Sequence, residues 1–449
     1  MSKHTEQARK KQEYGFRSAY LCDRLYCHLH PLLAQLNLRL DRRLVSNLLG
    51  LVLAMILLRH RNNGLLLSEL GGYLLEPEQA PAGTKRVSRV LHSRKWSSSD
   101  LEEYLWAQAD QRIQTLLGEH HTVLAIWDES VLEKPESIQL EGLCPVKSSK
   151  AVRLKRIKPG YFNPPGGRPV FVPGYHWLQI LVLGMQGPPT LAHLRWWTTR
   201  GEQASDKRTQ ETAALAEVTQ RWGVQRILHV WDRGFAGSPW LTMAYFHAVR
   251  FVLRWPKNYK LVDDQERVRK PGEIAKGKRS WDQRQLWDAR RRCHRSVGVV
   301  AFPVQDPTFR QDLWLVVARR KGQSPWYLLT NEPILTVGDA WRVVLAYARR
   351  WQIEMAIRYD KCELAFESPR LRHWEAQKRL LLIAALAYSY LLSLLQADAV
   401  DTTAWLMRHW CHRTGAWSLK VDLPLYRLRF AISRLWLDYP PPFLLWLRS

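Results

Sequence analysis

The segment YARRWQIEMAIRYDK combines four side chains that can act together on a charged substrate: Tyr347, Arg350, Glu354 and Lys361. Residues 341–364 contain neither Pro nor Gly, which favours a single helix. At about 100° per residue, the four side chains then lie within roughly 60° of one another around the helix axis. One helical face therefore presents a phenol, a guanidinium, a carboxylate and an ammonium group.

The carboxylate in this set indicates metal chemistry. Glu354, flanked by cationic donors, suits a site that holds a divalent cation while the neighbouring cations bind phosphate. The alternative interpretation is a mixed-charge helix face that is solvated and has no ligand. The metal interpretation requires further carboxylates elsewhere in the chain.

Two candidate carboxylates follow short apolar runs. Residues 123–127 and 227–231 are typical of buried strands, and Asp128 and Asp232 come directly after them. The end of a core strand is where a metal site lies in an α/β fold, although a lone Asp there is more often a turn residue. Glu129 follows Asp128, so either of them can be the first ligand, and we favour Asp128.

The predicted elements come in a recognisable order: strand with Asp128, strand, strand, helix, strand with Asp232, helix, strand, and helix with Glu354. This is the order of an RNase H-like core, in which three carboxylates from two strand ends and one helix converge on metal ions. We therefore expect an α/β fold whose core is a mixed sheet flanked by helices. Residues 257–332 are too many for a simple loop and contain several strand patterns, which predicts a β-rich insertion before the Glu354 helix.

The motifs around these residues resemble one known family. The spacing Y-x2-R-x3-E-x6-K, from Tyr347 to Lys361, resembles the YREK signature of the DDE transposases of the insertion sequence 4 family. WDES at Asp128 and WDRGFAG at Asp232 resemble the family's first and second Asp motifs, although the two residues after Asp128 differ from the usual continuation. The resemblance covers residues 120–395.

The resemblance implies a role for each of these side chains. Three carboxylates would be catalytic and would hold two Mg²⁺ or Mn²⁺ ions: Asp128, Asp232 and Glu354. Arg350 and Lys361 would bind phosphates beside the scissile bond, and Tyr347 would donate a hydrogen bond to one of them.

A tryptophan adds a further candidate. Trp326 begins the motif WYLLTNEP, which also resembles a stretch of the family. By that resemblance, its ring would stack against a base flipped out of the transposon end. The alternative is that Trp326 is a core residue at the start of a strand.

Residues 1–118 are basic and predict helices. Asp41 is a good N-cap for an apolar helix, and Ser99 with Glu102 forms a capping box for a later one. Between them, a short helix, a Gly-Gly turn and a basic helix have the outline of a helix-turn-helix module. Its candidate DNA-binding residues are Arg86, Arg89 and Lys95. The alternative is an ordinary helical bundle with a solvated basic face.

Composition narrows the class of partner. The net charge of +26 implies a polyanion, and nucleic acid fits this better than a membrane surface. The apolar runs fall short of the roughly 20 residues that span a bilayer, and the charged N-terminus lacks the apolar region of a secretory signal. The six cysteines are scattered and form no disulfide framework. We therefore expect a cytoplasmic, nucleoid-associated protein with no membrane partner.

The patterns and the resemblance together imply a DNA transposase. It would move an insertion sequence by cut-and-paste through metal-dependent phosphodiester hydrolysis and strand transfer, with hairpin ends as one route. Its partners would be double-stranded DNA, as terminal inverted repeats and as target, and a second copy in an active homodimer. Two alternatives remain: an RNase H-fold nuclease without strand transfer, and a catalytically silent DNA-binding protein descended from a transposase.

Five regions are expected. They are a helical DNA-binding domain (1–118), the first part of the catalytic core (119–256), the β-rich insertion (257–332), the end of the core with the catalytic helix (333–395) and a C-terminal helical region that is a candidate for dimerisation (396–449).

Overall fold

A large mixed β-sheet forms the middle of the fold. The computed structural model describes residues 3–58, 64–137, 139–149, 170–288, 293–320, 322–411 and 425–443. The strands in chain order are β1 (Val123–Glu133), β2 (Cys144–Lys147), β3 (Phe171–Gly184), β4 (Thr190–Trp197), β5 (Ile227–Trp231), β6 (Arg250–Arg254), β7 (Leu261–Val262), β8 (Val268–Arg269), β9 (Asp282–Asp288), β10 (Cys293–Gln305), β11 (Asp312–Arg320) and β12 (Trp326–Thr330).

Helices cover both faces of this sheet and form the N-terminal and C-terminal regions. In chain order they are α1 (Lys3–Asn37), α2 (Arg42–Leu57), α3 (Leu67–Leu74), α4 (Ala80–His92), α5 (Ser98–Gly118), α6 (Lys207–Trp222), α7 (Ser238–Phe246), α8 (Pro271–Ile274), α9 (Val337–Ala348), α10 (Trp351–Cys362), α11 (Trp374–Ser393), α12 (Val400–His409) and α13 (Leu425–Asp438). The mixed α/β fold expected from the sequence is confirmed.

The strand order brings the two aspartates together. The sheet runs β2-β3-β1-β5-β6-β12-β11-β10-β7-β8, with β4 beside β3 and β9 beside β10. β1 is antiparallel to β3 and parallel to β5, and its register with β5 pairs Trp127 with Trp231. Asp128 and Asp232 therefore leave the β1–β5 pair side by side at one edge. β1 itself continues to Glu133 along β3, so Asp128 is not the end of the strand that the sequence predicts.

Alternation along β1 explains its continuous apolar run. Leu124 and Ile126 pack on one face of the sheet, together with α10 and α11, whereas Ala125 and Trp127 pack on the other face with α6 and α7. A strand that is buried on both faces must be apolar at every position. By the same alternation Asp128 points to the face that carries α10.

Residues 257–332, expected to form a β-rich insertion, extend the same sheet. β12 pairs antiparallel with β6, and β11 and β10 follow it outwards. The strands of this segment are thereby continuous with those that carry the aspartates.

Capping residues set where the N-terminal helices begin, and glycines allow two of them to pack closely. Asp41 caps α2, because its Oδ1 accepts from Leu44 N at 2.9 Å, as expected. The expected cap at Ser99 is wrong: α5 has Ser97 as its N-cap, and Asp100 completes the capping box. α3 and α4 cross at Gly71 and Gly83, where a Cβ atom on either residue would meet the other helix's backbone at under 3 Å.

A buried side chain of α11, Arg379, binds the carboxyl end of the basic helix α4. Its guanidinium donates to the carbonyl oxygens of Leu91 (2.9 Å), Ser93 (2.6 Å) and Trp96 (2.5 Å). The last carbonyls of a helix have no partner within that helix. Arg379 therefore caps α4 and holds it against α11.

The C-terminal region contributes α12 and α13, as expected, while residues 412–424 and 444–449 lie outside the described residues. None of the described helices is by itself both long and apolar enough to cross a membrane, although α11 and residues 397–409 pass that test as a pair bent by 78°.

Replacing Arg379 by Met should lower the free energy of unfolding by about 2–4 kcal/mol, because three carbonyl groups lose their donor. Urea unfolding followed by circular dichroism would measure this. Arg370→Met is the matched control, since Arg370 pairs with Glu136 at the surface, where ion pairs contribute little. Similar small effects in the two variants would contradict the role given to Arg379.

Candidate functional site

The helix expected over residues 341–364 is wrong in one respect: the chain forms two helices, not one. α9 ends at Ala348 and α10 begins at Trp351, with a turn at Arg349 and Arg350. The turn is tighter than an α-helix, since Arg350 N donates to Tyr347 O at 3.0 Å. It forms where both arginine side chains are engaged, Arg349 with the carbonyl of Gly187 and Arg350 with a carboxylate.

That turn places Arg350 among three carboxylates. Its Nη1 lies 3.7 Å from Asp128 Oδ2 and 3.5 Å from Asp232 Oδ2, and its Nη2 hydrogen-bonds to Glu354 Oε1. The Oδ2 atoms of Asp128 and Asp232 therefore both contact the same nitrogen of Arg350. The structure therefore brings Asp128, Asp232 and Glu354 together around one guanidinium, from β1, the end of β5 and the first turn of α10.

The electrostatics of this cluster are those of crowded carboxylates. Arg350 is 13% exposed, whereas Asp128, Asp232 and Glu354 are 22%, 30% and 35% exposed. Burial raises the pKa of Asp128 to about 7; Asp232 and Glu354 act in the same direction, and Arg350 opposes them. The cluster can lower its energy by gaining positive charge.

Asp128, rather than Glu129, faces the cluster. Glu129 lies on the opposite face of β1, where its carboxylate pairs with Lys207 of α6. Lys207 also lies 3.5 Å from Glu211, a fully buried carboxylate whose pKa is raised to about 8 by burial and by Glu129. This geometry favours Asp128 as the first ligand.

Tyr347 and Trp326 form an aromatic pair beside Arg350. Their rings are 5.1 Å apart and edge-on, and the Arg350 guanidinium is 5.6 Å from the Tyr347 ring. Arg320 lies over the Trp326 ring at 4.3 Å, and Arg254 lies 5.8 Å from each ring. Burial raises the pKa of Tyr347, so its hydroxyl remains a donor at neutral pH. Arg254 and Arg320 were missed by the sequence analysis, because each lies at the end of an ordinary strand pattern.

Lys361 lies nearly two turns beyond Glu354 on α10, and its ammonium is 3.9 Å from Glu367 Oε1. Lys134, a buried residue just after β1, donates to three backbone carbonyls of the loop after α10, including that of Glu367 at 2.8 Å. The position of Lys361 thus depends on a loop that is tied to β1.

The second half of α10 is attached to the sheet by a buried polar pair. Gln179 of β3 lies directly opposite Asp128 in the β1–β3 register. Its Nε2 donates to Oδ2 of Asp360, on α10, at 3.1 Å. Burial raises the pKa of Asp360 well above its usual value, which favours the neutral carboxyl.

The carboxyl end of α10 is held by the C-terminal region. Nη1 of Arg429, a fully buried residue of α13, donates to the carbonyl of Glu363 at 2.6 Å. The sequence contained no signal for this contact, because an arginine on an amphipathic helix is ordinarily a surface residue.

The predicted DNA-binding residues of the N-terminal region lie in a different part of the fold. Arg86 and Arg89 are on α4, and Lys95 is in the turn that follows it; Arg89 and Lys95 are exposed. α4 packs on the helices α2, α3 and α11. The strands that carry Asp128 and Asp232 are in the central sheet. The sequence predicts these residues as a separate DNA contact, and that remains a prediction.

The carboxylate cluster has the donor chemistry of a magnesium or manganese site. Within the described ranges, no three His, Cys, Asp or Glu side chains are spaced to hold a metal ion. In the cluster of Asp128, Asp232 and Glu354, the guanidinium of Arg350 lies between the carboxylates. Carboxylate oxygens are nevertheless the ligands that these hard cations prefer. Burial raises the pKa of Asp128, and the like charges of Asp232 and Glu354 add to this effect; a bound cation would offset their repulsion. Asp128, Asp232 and Glu354 therefore fit such ions.

Comparison with known proteins identifies a family for this chain. A family model described as Transposase DDE domain matches residues 156–390, just over half of the 449-residue chain. The matched range includes Asp232 and Glu354 and begins after Asp128. No curated protein matches the chain.

Asp360→Asn should change the pH dependence of stability. Because the folded pKa of Asp360 is above the unfolded value of about 3.9, its contribution is fully present below that value and is lost as pH rises through the folded pKa. Asn stays neutral, so the free energy of unfolding should shift in favour of the variant by about 1.4 kcal/mol per pH unit between those pKa values.

The groups that face Asp360 are Gln179 and the phenols of Tyr359 and Tyr388. Urea unfolding at pH 4, 6 and 8 would test the prediction. A difference between wild type and variant that does not change with pH would show that the pKa of Asp360 is ordinary.

Proposed function

This chain belongs to the transposases with a DDE domain, and we propose that it is a cut-and-paste transposase of the insertion sequence 4 type. It would cut DNA at the terminal inverted repeats of its element and join the freed 3′ ends to target DNA. The observation that carries the proposal is the convergence of Asp128, Asp232 and Glu354 on one guanidinium. A hairpin at the transposon end is one route by which the second strand would be cut.

The topology supports an RNase H-like core. The strands β4, β3 and β1 form an antiparallel meander, and β5 and β6 continue parallel to β1. This places two carboxylates at adjacent strands and leaves the third to a helix packed across them. In this proposal the strands of residues 257–332 are an insertion that lengthens the core sheet.

The chemistry of the site would depend on divalent cations held by the three carboxylates. When bound, Mg²⁺ or Mn²⁺ supplies the charge that activates a water molecule and stabilises the leaving 3′ oxygen. The protein's own part is positional: β1 and β5 hold two carboxylates at a fixed separation, and α10 brings the third to the same point. No side chain of the protein is required as a nucleophile.

The cations around the site would hold the DNA. Arg350 and Lys361 would bind phosphates next to the scissile bond, and Tyr347, a protonated donor, would hydrogen-bond to one of them. The Trp326 ring, flanked by Arg254 and Arg320, would stack on a base of the DNA. Arginines that lie over such a ring suit both the base and its phosphate.

The rest of the positive surface would bind the terminal repeats. With a net charge of +26, the chain is expected to associate with DNA in a salt-dependent way. α4 and the turn after it, with Arg86, Arg89 and Lys95, would be the N-terminal DNA contact, and two copies would assemble on paired ends.

Asp128→Asn, Asp232→Asn and Glu354→Gln should each abolish cleavage of a duplex that carries the terminal repeat, because each removes a charged ligand. Affinity for the uncut duplex should stay close to wild type, since the basic residues provide the phosphate contacts. Glu129→Gln is the matched control and should retain cleavage. Activity in Asp128→Asn with loss in Glu129→Gln would reverse the assignment of the first ligand.

The same assay separates transposase from nuclease. Pre-cut repeat ends with free 3′-OH groups, incubated with plasmid, should be joined to it by the wild-type protein. Cleavage without joining would instead support a nuclease on the same fold.

Arg350→Gln tests the metal assignment without DNA. With EDTA present, the variant should be less stable than wild type by about 1–3 kcal/mol, because three partly exposed carboxylates lose their counter-charge. Mg²⁺ or Mn²⁺ should raise the melting temperature of the variant more than that of the wild type, since the ion no longer competes with a guanidinium. Equal shifts in the two proteins would contradict a shared site for Arg350 and the metal.

A further inference from the structure

We propose that Gln179 and Asp360 are positioning residues, whose hydrogen bond sets the catalytic helix α10 in register with the strand that carries Asp128. This inference rests on the proposed function of the carboxylate cluster. Neither residue belongs to that cluster.

The three carboxylates differ in how the fold holds them in place. Asp128 and Asp232 are fixed to each other by the backbone ladder of β1 and β5, whose register runs without a shift through Trp127 and Trp231. Glu354 has no such ladder, because α10 is packed on the sheet by side chains only. Its apolar contacts, from Ile353 and Ala356, exclude water but have little directional preference.

The hydrogen bond between Gln179 and Asp360 lies close to Asp128. Gln179 is the direct partner of Asp128 in the antiparallel β1–β3 pair, so both side chains project from the same face, towards α10. Asp360 is six residues after Glu354, about 9 Å along the helix axis. The bond at 3.1 Å thus ties α10 to the residue next to Asp128. A shift of α10 by one residue would turn Asp360 by about 100° and break it.

Burying the Gln179–Asp360 pair lowers the stability of the fold. Both residues are almost completely buried. Among the described residues, Gln179 Oε1 and Asp360 Oδ1 have no hydrogen-bond partner. Unpartnered buried oxygens lower stability, and two apolar side chains of similar size would serve the core at least as well. What the polar pair adds is direction, which is a property that the placement of Glu354 requires.

The test is a double variant that keeps the core packed and removes the hydrogen bond between residues 179 and 360. Gln179→Met combined with Asp360→Leu should unfold at a urea concentration equal to or above that of wild type, because no polar group is left unpaired. Cleavage of the repeat-bearing duplex should fall about tenfold to a hundredfold with little change in DNA affinity, as expected when a reacting group is displaced. Higher Mn²⁺ concentrations should be needed for half-maximal rate.

Two further variants separate positioning from general packing. Asp360→Asn keeps an acceptor for Gln179 Nε2 and should restore cleavage to near the wild-type rate. Tyr359→Phe removes a buried hydroxyl at the neighbouring position of α10 that has no hydrogen-bond partner in the described part of the chain, and it should leave the rate unchanged.

A measurement that needs no activity completes the test. Amide hydrogen exchange in peptides covering residues 351–362 should be faster in the double variant than in wild type, at equal global stability. Unchanged exchange and unchanged cleavage would overturn the inference. If wild type itself does not cut repeat-bearing DNA, the proposed function fails, whereas faster exchange of α10 would still establish the positioning role.

Discussion

Three ionised carboxylates around one point of a folded protein need a cation among them, and here that cation is the guanidinium of Arg350. Two like charges 4 Å apart repel by about 4 kcal/mol at an effective dielectric constant of 20. A domain has only about 5–15 kcal/mol of net stability. The carboxylates cannot be gathered unless their charge is balanced. Arg350 and Glu354 come from the same short segment, so packing α10 against β1 and β5 delivers a charge together with its counter-charge.

Buried polar contacts along α10 hold the helix in the position that this charge balance requires. Its amino end is held by the ion pairs of Arg350, its second half by Gln179 and its carboxyl end by Arg429 of α13. Lys134 then fixes the loop that follows. α4 is held in the same way by Arg379. In both cases an arginine from a neighbouring helix supplies donors to carbonyls that a helix end leaves unpaired, so the N-terminal and C-terminal regions are joined to the core through helix ends.

The sequence predicted what local patterns determine. The apolar runs before Asp128 and Asp232 predicted strands, and Asp41 predicted a helix start, whereas the catalytic segment that the sequence predicts from Tyr347 to Lys361 stays a prediction. The sequence failed where a tertiary contact decides. Nothing in residues 341–364 disfavours a continuous helix. The turn at Arg349 and Arg350 forms where their side chains contact other elements, at Gly187, Asp128 and Asp232. Gln179 and Asp360 are 181 residues apart, so only the folded chain shows their bond; a glutamine within an apolar strand was the one available sign.

Strand alternation separates two charged clusters that a sequence alone places side by side. Asp128 projects to the α10 face and meets Asp232, Glu354 and Arg350, so this set has two net negative charges when fully ionised. Its neighbour Glu129 projects to the α6 face, where Glu129 and Glu211 are matched by two cations. A divalent cation gains more from the first cluster than from the second. The excess charge, rather than the number of acidic residues, therefore selects the α10 face of the sheet as the proposed metal site.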